Sequence, residues 1–174
     1  MAGQAPTVGA NDGLSMSPEA KGRMRRREVD VFNYDDDGGP GRGHCTWGPG
    51  ILAHRGPCTK DELSKPVSQA AIDAEFARRV AKAERDVRGG VRKQALNQAQ
   101  FDALVSLAYN AGPRGSRGTW RLVEKGDFKG AGANIKTLIK SNQNGRLVVA
   151  RGLISRRAEE AAPFLPVETA SNKK

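Results

Sequence analysis

Ile72, Phe76, Val80, Ala83 and Val87 recur at intervals of four, four, three and four residues, one apolar stripe along a helix of several turns. Arg78, Arg79, Lys82, Arg85 and Arg88 fill its other faces, and Gly89-Gly90 marks its end. A second stripe, Phe101, Leu104, Val105 and Ala108, follows Asn97 as an N-cap and runs to Gly112. Further helices are expected over residues 119–125, 128–140 and 147–162, separated by Gly126, the polar run Ser141-Asn-Gln-Asn-Gly145 and Pro163.

Upstream the pattern changes. Ser17 is placed to cap a helix with Pro18 at its first position and Glu19 in its first turn, carrying Met24 and Glu28. Residues 33–58 are so dense in Gly and Pro that loops and short hairpin strands are expected there. Thr59-Lys-Asp-Glu62 has the form of a capping box opening a short helix, which Pro66 interrupts. Residues 1–16 and 166–174 have no periodicity and read as flexible tails. The pattern therefore predicts an α+β, mainly helical chain with one domain over 17–165. Its small Gly-rich β-hairpin lobe falls at about 29–66 and its larger helical lobe at about 67–165.

A length of 174 residues suits one domain that buries a core without needing a metal. No run of 18 apolar residues exists, so no membrane span is expected. The first residues lack the basic start and apolar stretch of a secretory signal. The net charge of +10 and a pI near 10.1 direct the chain toward polyanions, whether nucleic acid, anionic lipid or wall polymers. Charge alone does not choose among them. Cys45 and Cys58 are compatible with two thiols or with a disulfide; a metal site would need more ligands at short spacing, and no cofactor is expected.

The candidate chemistry lies between Arg27 and Gly50. Glycoside hydrolysis commonly uses an acid that protonates the leaving oxygen and a second carboxylate that activates water. On a helix, Glu28 has Met24, Val31 and Phe32 as neighbours, which raise its pKa by desolvation, while Arg25 opposes them. Asp35-Asp36-Asp37 is better solvated, and Thr46 is suited to hold a water against it. By themselves these letters are a weak signal, since a glutamate on a helix is usually a surface residue and Asp-Asp-Asp-Gly-Gly is usually a turn. The missing downstream Glu counts against a Ca²⁺ loop, and without a following Gly-Lys-Ser/Thr the glycine run is no phosphate loop.

These residues resemble the active-site region of the phage-type lysozymes, glycoside hydrolase family 24. Glu28, an Asp nine residues later at Asp37, and the turn Thr46-Trp-Gly-Pro-Gly50 carry the likeness. His54 to Thr59, the helix from Leu96 to Gly112, Gly126 to Ala131 and Gly152 to Glu159 resemble later blocks in the same order. The resemblance implies a lysozyme-like two-lobe fold and a muramidase that cleaves the β-1,4 bond between N-acetylmuramic acid and N-acetylglucosamine. It implies Glu28 as general acid, with Asp37 and Thr46 positioning the water of an inverting reaction. Peptidoglycan is the implied partner of a monomer, with anionic outer-membrane or wall polymers as further partners and no nucleic acid. The implied site of action is the cell wall, reached from the cytoplasm by a phage endolysin or a bacterial effector.

There are departures. The Asp37-to-Thr46 separation is longer than the family's usual one, and Tyr34-Asp35-Asp36 keeps Asp36 open as the alternative carboxylate. Ile51 stands where the family often has His, leaving His54 as a substitute. Asn110 either reaches substrate or caps a helix end, Trp47 either stacks on a sugar or packs, and Arg156-Arg157 reads as a solvated or salt-bridged face. A lytic transglycosylase and a non-catalytic polyanion binder are the competing functions.

Overall fold

The computed structural model describes residues 8–27, 32–48, 50–143 and 146–166. In chain order the elements are α1 (Pro18–Arg25), β1 (Tyr34–Asp36), β2 (Cys45–Trp47), β3 (Ile51–His54), α2 (Lys60–Leu63), α3 (Gln69–Gly90) and α4 (Gln98–Glu124). They continue with α5 (Phe128–Thr137), β4 (Lys140–Gln143), β5 (Arg146–Val149), α6 (Arg151–Ala161) and a 3-10 turn, Ala162–Phe164. The chain packs as two units, one spanning Gly22–Arg78 and the other formed by the residues before and after that stretch.

In the Gly22–Arg78 unit, β1, β2 and β3 form an antiparallel sheet in that order. The strands are only three or four residues long, and glycines with positive φ occupy the β1–β2 and β2–β3 connections and the turn after β3. Trp47, Val67 and Ile72 are its buried core, with Phe32, Tyr34, Ile51 and Ala71 packed around them. The ring centroids of Phe32 and Trp47 are 5.7 Å apart, so Trp47 is a packing residue. The capping box at Thr59 forms as its sequence dictates: Thr59 accepts from the Glu62 N–H, and Glu62 accepts from the Thr59 N–H.

The other unit is built around α4. Residues 101–108 are buried on every face, as expected of a helix surrounded by others. Its N-terminus is closed by a capping box between Asn97 and Gln100. Gly112 (φ 67°) breaks the helix, but Pro113 restarts it at once, where the sequence pattern placed the restart at residue 119. Proline has no N–H to lose at a first helical position, and the Ser116 hydroxyl donates to the Gly112 carbonyl at 2.9 Å. This outweighs the low helix propensity of Gly115 and Gly118.

Two expected helices are shorter than the pattern suggested. The one expected over 128–140 stops at Thr137, and the start of the one expected over 147–162 is a strand. β4 and β5 pair antiparallel from Lys140↔Val149 to Gln143↔Arg146. Leu147-Val148-Val149 favours extended backbone, and Asn144-Gly145, outside the described residues, is the sequence signature of a two-residue hairpin turn.

Residues 8–16, part of the expected tail, are docked. Asn11 is 1% exposed; its amide nitrogen donates to the Val91 and Gln94 carbonyls at 2.9 and 3.0 Å, and its oxygen accepts from the Leu96 N–H at 3.0 Å. Met16 is buried, and its N–H donates to Glu84. One polar side chain thus satisfies three backbone groups of the α3–α4 connection. Replacing it with leucine, similar in volume but without polar atoms, leaves those groups unpaired and is expected to cost about 3 kcal/mol. Urea denaturation measures this as a lower midpoint at constant m.

Ser17 caps α1, accepting from the Ala20 N–H and donating to Asp102 at 2.6 Å. The helix ends at Arg25. Glu28, expected on it, lies outside the described residues. Among the described residues no helix is long and apolar enough to cross a membrane.

Candidate active site

The β1–β2 pairing sorts the three aspartates. Tyr34 faces Trp47, Asp35 faces Thr46, and Asp36 faces Cys45. Directly opposed residues share a face, and the face alternates along each strand. Asp35 and Thr46 are therefore on one face, with Tyr34, Asp36, Cys45 and Trp47 on the other.

Asp36 is 5% exposed and fully engaged: one carboxylate oxygen accepts from the Cys58 N–H at 2.6 Å, the other from the Gly41 N–H at 2.7 Å. It ties the β1–β2 loop to the segment before α2. Asp37 is exposed. Its N–H donates to the His44 carbonyl at 3.1 Å, and one carboxylate oxygen accepts from the His44 N–H at 2.7 Å. Asp37 follows the last residue of β1, at the start of the turn that leads to β2. A Cβ on Gly43 (φ 74°) would lie 2.0 Å from that oxygen, so only glycine lets the carboxylate rest over the turn. The Thr46 hydroxyl donates to the Asp35 carbonyl at 3.1 Å.

A disulfide joins Cys45 to Cys58, across a sequence separation of 13. Closing a loop of that size removes about 3 kcal/mol of unfolded-state entropy on the chain-entropy account. Cys45, His54 and Glu62 place ligand-type atoms within 4.8 Å of one another. The sulfur is already oxidised, so this trio holds no thiolate for a metal.

His54 belongs to the scaffold. Its Nδ1 is 3.2 Å from the Arg55 carbonyl and its Nε2 is 3.0 Å from Glu62, so both ring nitrogens meet acceptors. Only the imidazolium satisfies both, and its pKa is raised above 6.5 by the Arg55 carbonyl first and by Glu62 next. Glu62 is held at about 2, chiefly by the Thr59 N–H and hydroxyl, then by His54. The stability His54 contributes is complete below pH 6.5 and is lost as pH rises through its raised folded pKa. That of Glu62 is complete above 4.5 and is lost as pH falls toward about 2. Proton-detected titration should give His54 a midpoint above 6.5, and Glu62→Gln should move it down.

In the helical unit, Asn110 is held rather than free. Its side-chain oxygen accepts from the Arg157 guanidinium. Arg157, 2% exposed, also donates to the Leu138 carbonyl at 2.9 Å and pairs with Glu160. Arg156 reaches the same carboxylate at 3.1 Å, and the Ser106 hydroxyl donates to it at 2.6 Å. Of the solvated or salt-bridged face expected for Arg156-Arg157, the salt-bridged alternative is the one observed, and it is buried. A pocket of about 640 Å³ adjoins it, lined by Asn110, Arg157, Gly115, Leu138, Ser141 and Leu153 among others. The helical spacing Arg156-Arg157 to Glu160 was the available signal, since both arginines meet one carboxylate at i+4 and i+3.

Residues 32–160 match the family described as phage lysozyme. The chain belongs to the phage lysozyme family. The match begins after Glu28 and includes the hairpin, the disulfide, Asn110 and the ionic network. An endolysin of Acyrthosiphon pisum secondary endosymbiont phage 1 is 39% identical over 75 residues, 41% of this chain and 51% of that relative. The matched segment thus spans about half that relative's length. An endolysin from Escherichia coli O157:H7 phage FAHEc1 superposes with a TM-score of 0.65 at 23% identity, over 88% of this chain and 95% of that one. The muramidase domain of SpmX from Asticaccaulis excentricus gives 0.64 at 25% identity, over 87% and 97%. This phage lysozyme family member therefore has the α+β, mainly helical lysozyme fold, as its sequence pattern and resemblance implied.

Proposed function

We propose that the protein is a muramidase, hydrolysing the β-1,4 bond between N-acetylmuramic acid and N-acetylglucosamine in peptidoglycan and so acting as an endolysin on the cell wall. Family membership supports the reaction class. The observation that carries the residue roles is the division of labour in the aspartate run. Asp36 is buried with both oxygens engaged by backbone N–H groups, while Asp37, next in the chain, is exposed with one oxygen held by the His44 N–H. A carboxylate that orients a water must keep acceptor capacity free for it, and Asp37 has more to spare. In this reading Glu28 donates a proton to the departing glycosidic oxygen. Asp37 takes a proton from the attacking water as general base, and Thr46 fixes that water's second contact. The basic surface favours encounter with anionic wall polymers without taking part in the chemistry.

Product analysis on purified peptidoglycan tests the reaction. Release of reducing-end muropeptides supports hydrolysis. Anhydro-muramyl ends would make the protein a lytic transglycosylase, and binding to the wall without any product would make it a non-catalytic binder.

A further inference from the structure

The cations of α3 are mostly accounted for. Arg78 pairs with Glu75 at 2.7 Å, Arg79 lies 4.3 Å from the Tyr109 ring centroid, and Lys82 pairs with Asp86 at 2.6 Å. Arg88 donates to the Leu14 carbonyl at 2.6 Å and pairs with Glu84 at 3.3 Å. Arg85 alone among them has no partner among the described residues. On α4, Arg117 and Arg121 stand one helical turn apart, both exposed and likewise unpartnered. These three guanidiniums line one open pocket of about 460 Å³.

The pocket's other walls leave the cations uncompensated. Its one carboxylate, Asp86, is held by Lys82. Gly89 and Gly90 contribute backbone without side chains, and Trp120 closes one side. Gly90 is required there, because a Cβ on it would lie 2.3 Å from the Trp120 ring. Three like charges around a hollow repel one another, and an anion bound between them relieves that repulsion. Guanidinium forks match the oxygens of a phosphate two at a time.

We propose that Arg85, Arg117 and Arg121 form a pocket that binds a phosphate group. Its lining includes none of the hairpin carboxylates, and it makes no use of the hydrolytic reaction. The ligand is either phosphate itself or a phosphate carried on a lipid headgroup, and the pocket's openness to solvent admits both.

The test follows the Trp120 indole N–H resonance during titration with inorganic phosphate. In parallel, sedimentation is measured with phosphatidylcholine vesicles with and without phosphatidylglycerol. The decisive variant is R85K/R117K/R121K, which keeps the net charge of +10. All three positions are exposed, so the variant is expected to unfold at the wild-type midpoint. Loss of the paired guanidinium contacts should weaken binding about tenfold or more. Binding of free phosphate that the variant loses supports an ion site. Binding of phosphatidylglycerol vesicles alone, again lost in the variant, supports the headgroup source. Equal binding by wild type and variant would mean that only bulk charge acts, and would overturn the proposal. So would the absence of binding in both arms.

Discussion

Glu28→Gln is expected to lose about three orders of magnitude in peptidoglycan turnover, within the range of a general acid's contribution. Its unfolding midpoint should stay that of the wild type. The amide has the shape and size of the carboxyl group and can still hydrogen-bond to a glycosidic oxygen. It has no proton to give, so the sugar must depart as an alkoxide, and the barrier rises by about 4 kcal/mol. Reducing-end release from purified peptidoglycan gives the rate, and thermal unfolding followed by circular dichroism gives the stability. A glutamine variant that cuts at the wild-type rate would remove Glu28 from the mechanism. A variant that is inactive only because it is unfolded would show itself in the second measurement.

The neighbouring aspartates should separate stability from activity. In Asp36→Asn, one of two engaged oxygens becomes an NH₂ group facing the Gly41 or Cys58 N–H. A donor then meets a donor in a site that is 5% exposed, at an expected cost of about 2–4 kcal/mol. In Asp37→Asn the amide oxygen still accepts from the His44 N–H, so the turn is kept and the stability change is expected to be below about 1 kcal/mol. Turnover should nevertheless fall by about a hundredfold or more, because the group can no longer take a proton from water. Both variants are compared by urea midpoint and by rate. The opposite pattern, an active Asp37→Asn and a stable but inactive Asp36→Asn, would transfer the chemical role to Asp36.

Signals that are local and periodic were legible in the sequence. The stripes of α3 and α4, the Ser17 and Asn97 caps and the capping box at Thr59 all depend on residues within a few turns of one another. The Gly-rich region gave its hairpins because few other conformations tolerate such backbone. The roles that depended on distant partners were not legible. Asn11 reads as one polar residue in a featureless tail, since its acceptors are 80 residues and more away. Asp36 and Asp37 are the same letter, and only the register against Cys45 and Thr46 distinguishes the buried one. For Arg156 and Arg157 the sequence left a solvated and a salt-bridged face open, and not their burial, which three groups satisfying Glu160 make possible. The β4–β5 hairpin was missed where an apolar run was long enough to extend either element.

The docking of Asn11 sets an order of events for a chain made from its N-terminus. The segment that holds Asn11 is synthesised first, yet the carbonyls and N–H it binds belong to Val91, Gln94 and Leu96. All of Gly22–Arg78 must leave the ribosome between the two. That intervening stretch carries its own core around Trp47, so its contacts can form while the first residues still wait. A nascent chain halted just before residue 91 holds every residue of the Gly22–Arg78 unit, but not one of the three groups that Asn11 binds.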